Sequence, residues 1–143
     1  MNFTGMIYVS LRQDRKFRRA QLRKATPQER RLWKEVLRRY PVAFLRKCAL
    51  ITRRSGFVSF YSPELRMAID VETDRESKGE LTVHESKKRM SLHSLGIYTL
   101  FIPESEIDGD LEAVRGCIDR EVRKRTEWLE QKKKMPSAGE NKG

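Results

Sequence analysis

Residues 56–73, GFVSFYSPELRMAIDVET, constrain the fold more than any other stretch. They are expected to form two short strands joined by a turn at Ser62-Pro63. In the second strand Leu65, Met67, Ile69 and Val71 alternate with Arg66, Ala68, Asp70 and Glu72. A period of two sends successive side chains to opposite faces of a sheet. The apolar four are expected to face the denser core, leaving Asp70 and Glu72 side by side on the other face, about 7 Å apart at the strand's end. Two carboxylates so placed can hold a divalent cation through oxygen ligands. They can equally be solvated, and the pattern leaves both open.

The rest of the chain supplies partners for this sheet. Residues 14–24 have helical propensity, with Phe17 and Ala20 on one side. Thr26 is a good N-cap, Pro27 suits the first helical position, and Glu29 stands three after Thr26, which completes a capping box. Leu32, Trp33, Val36, Leu37 and Tyr40 form that helix's apolar stripe, and Pro41 ends it. Residues 42–51 read as a strand, 81–95 as a helix closed by Gly96, and 97–102 as a strand stopped by Pro103. Leu111, Val114, Ile118, Val122, Arg125 and Leu129 recur at spacings of three and four, the mark of an amphipathic helix starting near Asp110. Three successive strands can form a meander, and a helix before the fourth provides the crossover that parallel neighbours require. The expected fold class is therefore α/β: a small mixed four-stranded sheet flanked by helices on both faces.

The 143 residues suit one domain, placed at 13–131. Residues 1–12 form an N-terminal segment in which 6–11 either make an edge strand or merely pack. Residues 132–143, KKKMPSAGENKG, lack core side chains and are expected to be a disordered basic tail. No apolar run approaches the roughly 18–20 residues that span a bilayer. The N-terminus does not resemble a signal peptide, and the two cysteines, Cys48 and Cys117, form no Cys-x-x-Cys pair. A cytoplasmic protein with reduced thiols and no membrane partner is the expectation.

Charge points to the partner. The net charge is +11, but it is unevenly spread. Residues 1–54 carry 16 Lys/Arg against 3 Asp/Glu, whereas residues 55–119 carry 7 against 13. A basic half beside an acidic centre fits a protein that grips phosphates with one part and cations with another. It also fits internal charge pairing. Arg15, Arg19, Arg23, Arg30, Arg31, Arg53 and Arg54 are candidate phosphate contacts, as are Lys87 and Lys88 on the fourth-strand crossover helix. His84 and His93 are nine apart, not the spacing of a two-His metal site.

TPQERRLW, residues 26–33, resembles the helix start of a family of small bacterial proteins related to the very-short-patch repair endonucleases. The resemblance continues through Phe44 and Arg46, through FVSFYSPELRMAIDVET, and through Glu85, Lys88, Leu92 and Gly96 to the strand at 97–102, covering about residues 15–122. It implies a restriction-endonuclease-like, PD-(D/E)xK fold. It also implies nucleic acid as partner, DNA over RNA, and Mg²⁺ as cofactor if the centre works and none otherwise. The family's first metal-binding aspartate falls on Ser59, and its strand acids fall on Asp70 and Glu72 with side-chain lengths exchanged. Its following glycine falls on Thr73, its histidine on Glu76, and its last-strand arginine on Phe101. Such a pattern implies a fold retained and a catalytic centre eroded at Ser59 and Phe101. Asp70, Glu72 and Glu29 are the candidate catalytic residues and Asp70, Glu72 and Glu76 the candidate metal ligands, with cap closure the alternative for Glu29. A nucleic-acid-binding protein with a degenerate phosphodiesterase site is expected first, an active Mg²⁺-dependent DNA endonuclease next, and a non-catalytic basic accessory protein beside it.

Overall fold

The computed structural model describes residues 19–20, 22–49, 57–73 and 83–134, with residues 47–49, 57 and 83–88 described in backbone only. The elements are α1 (Pro27–Leu32) running into a π-helical turn (Trp33–Leu37), β1 (Leu45–Ala49), β2 (Phe57–Ser62), β3 (Met67–Glu72), α2 (Val83–Ser94), β4 (Tyr98–Pro103), α3 (Glu104–Gly109) and α4 (Leu111–Lys134). The strands form one sheet in the order β1-β2-β3-β4. β1–β2 and β2–β3 pair antiparallel, while β3–β4 pair parallel across the α2 crossover. This is the mixed four-stranded α/β sheet that the alternation and the element order predict.

The two faces of the sheet are unequally covered. Phe60, Leu65, Met67, Ile69 and Ile102 pack with Leu32, Val36, Leu37, Ile107, Leu111, Val114, Ile118 and Val122 into the main core under α1, α3 and α4. A smaller cluster of Val58, Tyr61, Ala68, Leu92 and Ile97 lies with α2. Leu65, Met67 and Ile69 are thus on the dense side, and Val71 packs against the same cluster.

Local signals account for most boundaries. Thr26 Oγ1 accepts from the Glu29 amide (3.1 Å) and Glu29 Oε1 accepts from the Thr26 amide (3.0 Å), so the capping box is formed. Ser62 Oγ accepts from the Leu65 amide in the β2–β3 turn (3.3 Å), as the Ser-Pro pair suggests. At the end of α2, Gly96 has φ +75°. The Gly96 amide bonds the His93 carbonyl and the Ile97 amide the Leu92 carbonyl, with Leu92 and Ile97 packed together in the smaller cluster. That is a Schellman end with its hydrophobic contact. Asp110 Oδ1 accepts from the Ala113 amide (3.1 Å) and starts α4.

Four features depart from the sequence reading. The first strand is shorter, beginning at Leu45, because Val42 and Phe44 turn into the core ahead of it. α3 follows β4 directly, with Pro103 as N-cap residue and Ile107 buried. A single apolar residue is too weak a periodic signal for so short a helix. The helix after Leu32 is π-wound: the Arg38 amide reaches the Trp33 carbonyl (2.8 Å), five residues back. Finally, α4 continues through Lys132, Lys133 and Lys134, so the first three residues of the expected tail are helical. Residues 1–18, 21, 50–56, 74–82 and 135–143 lie outside the described residues.

Candidate functional site

Asp70 and Glu72 both belong to β3 and share the face that carries Ala68, as the period of two requires. Ser59 on β2 is beside Asp70 on one flank, and Phe101 on β4 is its register partner on the other. The structure therefore brings together four residues that the family resemblance groups at one end of the sheet.

Their contacts are internal. The β2–β3 register runs from Ser62↔Met67 to Phe60↔Ile69. Beyond it, side chains join the strands. Asp70 Oδ1 accepts from the Ser59 amide (3.1 Å) and from Ser59 Oγ (3.2 Å), and Ser59 Oγ accepts from the Val71 amide (3.1 Å). Ser59 and Asp70 thus continue by side chain the pairing that the backbone leaves off. Glu72, 7% exposed, is ion-paired with Arg89 of α2. The Arg89 guanidinium also lies 3.6 Å from the centroid of the Phe101 ring. A cation held over an aromatic face is attracted by the ring's quadrupole, so Phe101 and Glu72 together hold Arg89 in place. The sequence groups Arg89 with Lys87 and Lys88 as a solvated face or phosphate contacts, whereas the structure turns Arg89 to Glu72. Its i, i+3 position before Leu92 is the hint that it shares a face with the buried side of α2.

Glu29 is buried at the start of α1, and its bonds with Thr26 are those of a cap. It nevertheless borders Ser59. Glu29, Arg30, Trp33, Arg46, Ser59 and Phe60 line a narrow cleft of about 10 Å³. Trp33 stacks on Phe60 with ring centroids 6.2 Å apart, and the Arg46 guanidinium is 4.9 Å from the Trp33 ring.

The described acids of this donor set are each engaged by protein groups. Mg²⁺ requires near-octahedral oxygen ligands with carboxylates turned toward it. Here one Asp70 oxygen takes two bonds from Ser59, Glu72 faces a guanidinium, and Glu29 closes a cap. Among the described residues, no group of three or more His, Cys, Asp and Glu side chains is arranged to hold a metal. Glu76, the remaining candidate ligand, lies outside the described residues.

The described basic residues up to Arg46 are exposed: Arg19, Arg23, Lys24, Arg30, Arg31, Lys34, Arg38, Arg39 and Arg46 itself. Between residues 22 and 46 the one exposed acid is Glu35, which Arg31 engages through Nε at 3.0 Å. Arg31 also donates to the Ile107 carbonyl (2.9 Å), and Arg30 to the Arg23 carbonyl (3.1 Å). Arg31 is accordingly a tie between α1 and α3, while Arg23 and Arg30 stand on the open surface. Arg15, Arg53 and Arg54 lie outside the described residues, as do the side chains of Lys87 and Lys88 on α2.

A second cleft lies between the start of β4 and α4. Trp128 on α4 is 46% exposed and Tyr98 at the start of β4 is 38% exposed. With Lys124 and Arg125 they line a cleft of about 340 Å³. Arg125 donates to the carbonyls of Leu65 (2.9 Å) and Gly96 (3.1 Å) while lying 4.6 Å from the Trp128 ring. The Tyr98 hydroxyl donates to Glu121, which holds that carboxyl below its ordinary range and pushes the phenol up to about 12. The signal in the sequence was the spacing of Lys124, Arg125, Trp128 and Lys132, which puts a tryptophan among cations on one helix face.

No family model matches the chain, and no curated protein matches it.

Proposed function

We propose that this chain is a nucleic-acid-binding protein on a restriction-endonuclease-like scaffold, with its metal centre replaced by structural contacts and DNA as the expected partner. One observation carries the proposal: Arg89, held by Glu72 and Phe101, supplies a fixed cation on the face where the resemblance implies a metal. The Ser59–Asp70 bonds support it from the other flank. The meander followed by a helical crossover to a parallel strand agrees with the implied fold. The basic surface of α1 reaches the same end of the sheet, since Arg30 and Arg46 border the Ser59 cleft. Among the described residues no helix is long and apolar enough to cross a membrane.

The working parts are then arginines and lysines. Each cation that meets a phosphate releases condensed counterions, so binding must weaken steeply with salt. The placement of Asp70 and Glu72 on one strand face favours a second reading, an active endonuclease. Incubation with a labelled DNA duplex and Mg²⁺ or Mn²⁺ separates the two. The expected result is salt-sensitive binding with no cleavage. Cleavage by the wild type that is lost in Asp70→Asn and Glu72→Gln would assign the enzyme instead. Weak binding with a shallow salt dependence would leave only a basic interaction protein.

A further inference from the structure

Tyr98 and Trp128 demand an explanation that packing does not provide. Among the described residues three large hydrophobic side chains are exposed, Met90, Tyr98 and Trp128, and two of them line the same cleft. That cleft, about 340 Å³, falls within the size range of small-ligand sites. Exposed aromatic surface concentrated in one concavity marks an interaction site more often than scattered exposure does.

Its remaining walls are cationic. Lys124 is largely in solvent and contacts Glu121 at 3.3 Å, and Glu121 is itself engaged by Tyr98. Arg125 is anchored on backbone carbonyls, so it acts as a fixed shelf beside both rings, 4.6 Å from Trp128 and 5.9 Å from Tyr98. Lys132 lies 4.6 Å from the Trp128 ring and is exposed. An exposed cation–π contact of this kind is weak enough to give way to a stacking partner. Lys133 and Lys134 follow on the same helix.

We propose that this cleft is a subsite for single-stranded nucleic acid, in which a base stacks on Trp128 and flanking phosphates meet Lys124 and Lys132. Aromatic platforms set in a cationic groove are the general means of holding single strands without reading their sequence. An acidic peptide would satisfy the lysines but leave both ring faces unused. This assignment rests on the nucleic-acid-binding function proposed above, and adds to it a strand type and a place remote from Asp70.

The test uses the full chain and a labelled single strand of about ten thymidylates, followed by anisotropy and by tryptophan fluorescence. The other tryptophan, Trp33, lines the Ser59 cleft beside Arg30 and Arg46, so fluorescence is read in a Trp33→Phe background that leaves Trp128 as the tryptophan observed. Binding is expected to quench Trp128, and Trp128→Ala to weaken single-strand affinity about tenfold or more. Trp128→Phe is expected to restore much of it, while duplex affinity stays near wild type in both variants. Inorganic polyphosphate of similar charge is expected to bind more weakly than the oligonucleotide, because it has no bases. Unchanged single-strand affinity in Trp128→Ala, with duplex binding intact, would overturn the subsite alone. Equal quenching by polyglutamate would overturn it in favour of an acidic polypeptide. Failure of the wild type to bind either strand form would overturn the nucleic-acid function as well.

Discussion

Arg89 presents a guanidinium edge to Glu72 and a guanidinium face to Phe101, and each partner limits what the other can do. Removing it leaves a 7%-exposed carboxylate without its guanidinium. Breaking a fully buried pair costs roughly 3–5 kcal/mol. Arg89 keeps 30% of its side chain in solvent, so Arg89→Met is expected to cost less, about 1–3 kcal/mol. Adding Glu72→Gln should recover much of the loss, and urea unfolding of the single and double variants checks both. Ser59→Ala removes one of the two bonds to Asp70 Oδ1 and the acceptor for the Val71 amide. About 1.5–3 kcal/mol is expected from a hydrogen bond to a charged group, measured the same way. At this scale the sequence was legible for position and opaque for partnership. Alternation alone placed Asp70 and Glu72 on one face. Nothing in it could say that Ser59 would close on Asp70, or that Arg89 would turn inward from a helix whose residues are mostly polar.

Helix ends follow local chemistry, which is why they were the most legible elements. The Thr26–Glu29 box formed as written, and Thr26→Ala is expected to destabilise the chain by about 1 kcal/mol in thermal or urea unfolding. Gly96 at φ +75° was equally readable. A Cβ there meets only an Arg66 nitrogen at 3.7 Å, so Gly96→Ala would be penalised for backbone conformation rather than crowding, by about 1–2 kcal/mol. Arg66, at φ 48°, was not readable, since arginine carries no left-handed signature. Its conformation is tied down from outside: its guanidinium donates to the Leu95 carbonyl (2.8 Å) and its carbonyl accepts from the Tyr98 amide (3.0 Å). Between β4 and α4, the Tyr98–Glu121 bond makes a testable pH signature. Glu121 is held below its ordinary 4.5, so its contribution is complete above that value and fades as pH falls through the lower folded value. Tyr98 is raised from 10.0 to about 12, so the same contribution fades as pH climbs between those values. The destabilisation caused by Tyr98→Phe is therefore expected to be full from about pH 4.5 to 10 and to shrink outside that window. Urea midpoints of the two proteins across pH measure it.

For the molecule as a whole, charge was the most legible property and the site the least. The arginines and lysines of α1 and the segment after it stay exposed on folding, and their few acidic neighbours are either buried, as Glu29, or engaged, as Glu35. The logarithm of DNA affinity is expected to fall linearly with the logarithm of salt, and replacing one phosphate-contacting arginine should reduce the slope by about 1. Arg23→Gln and Arg30→Gln are the variants to measure by anisotropy at several salt concentrations, with Arg31→Gln as a comparison that disturbs the α1–α3 tie instead. The sheet order was recoverable because a meander and one helical crossover leave few arrangements of four strands. The Tyr98–Trp128 cleft was not, because it joins two elements whose separate patterns each describe packing. The widened turn at Trp33–Leu37 has a consequence of its own. A ring closed over five residues rather than four holds one residue more than the ladder needs. Deleting the exposed Lys34 should let that turn rewind to ordinary pitch while Trp33 stays on Phe60 and Leu37 stays in the core, so the helix can shorten there without re-threading.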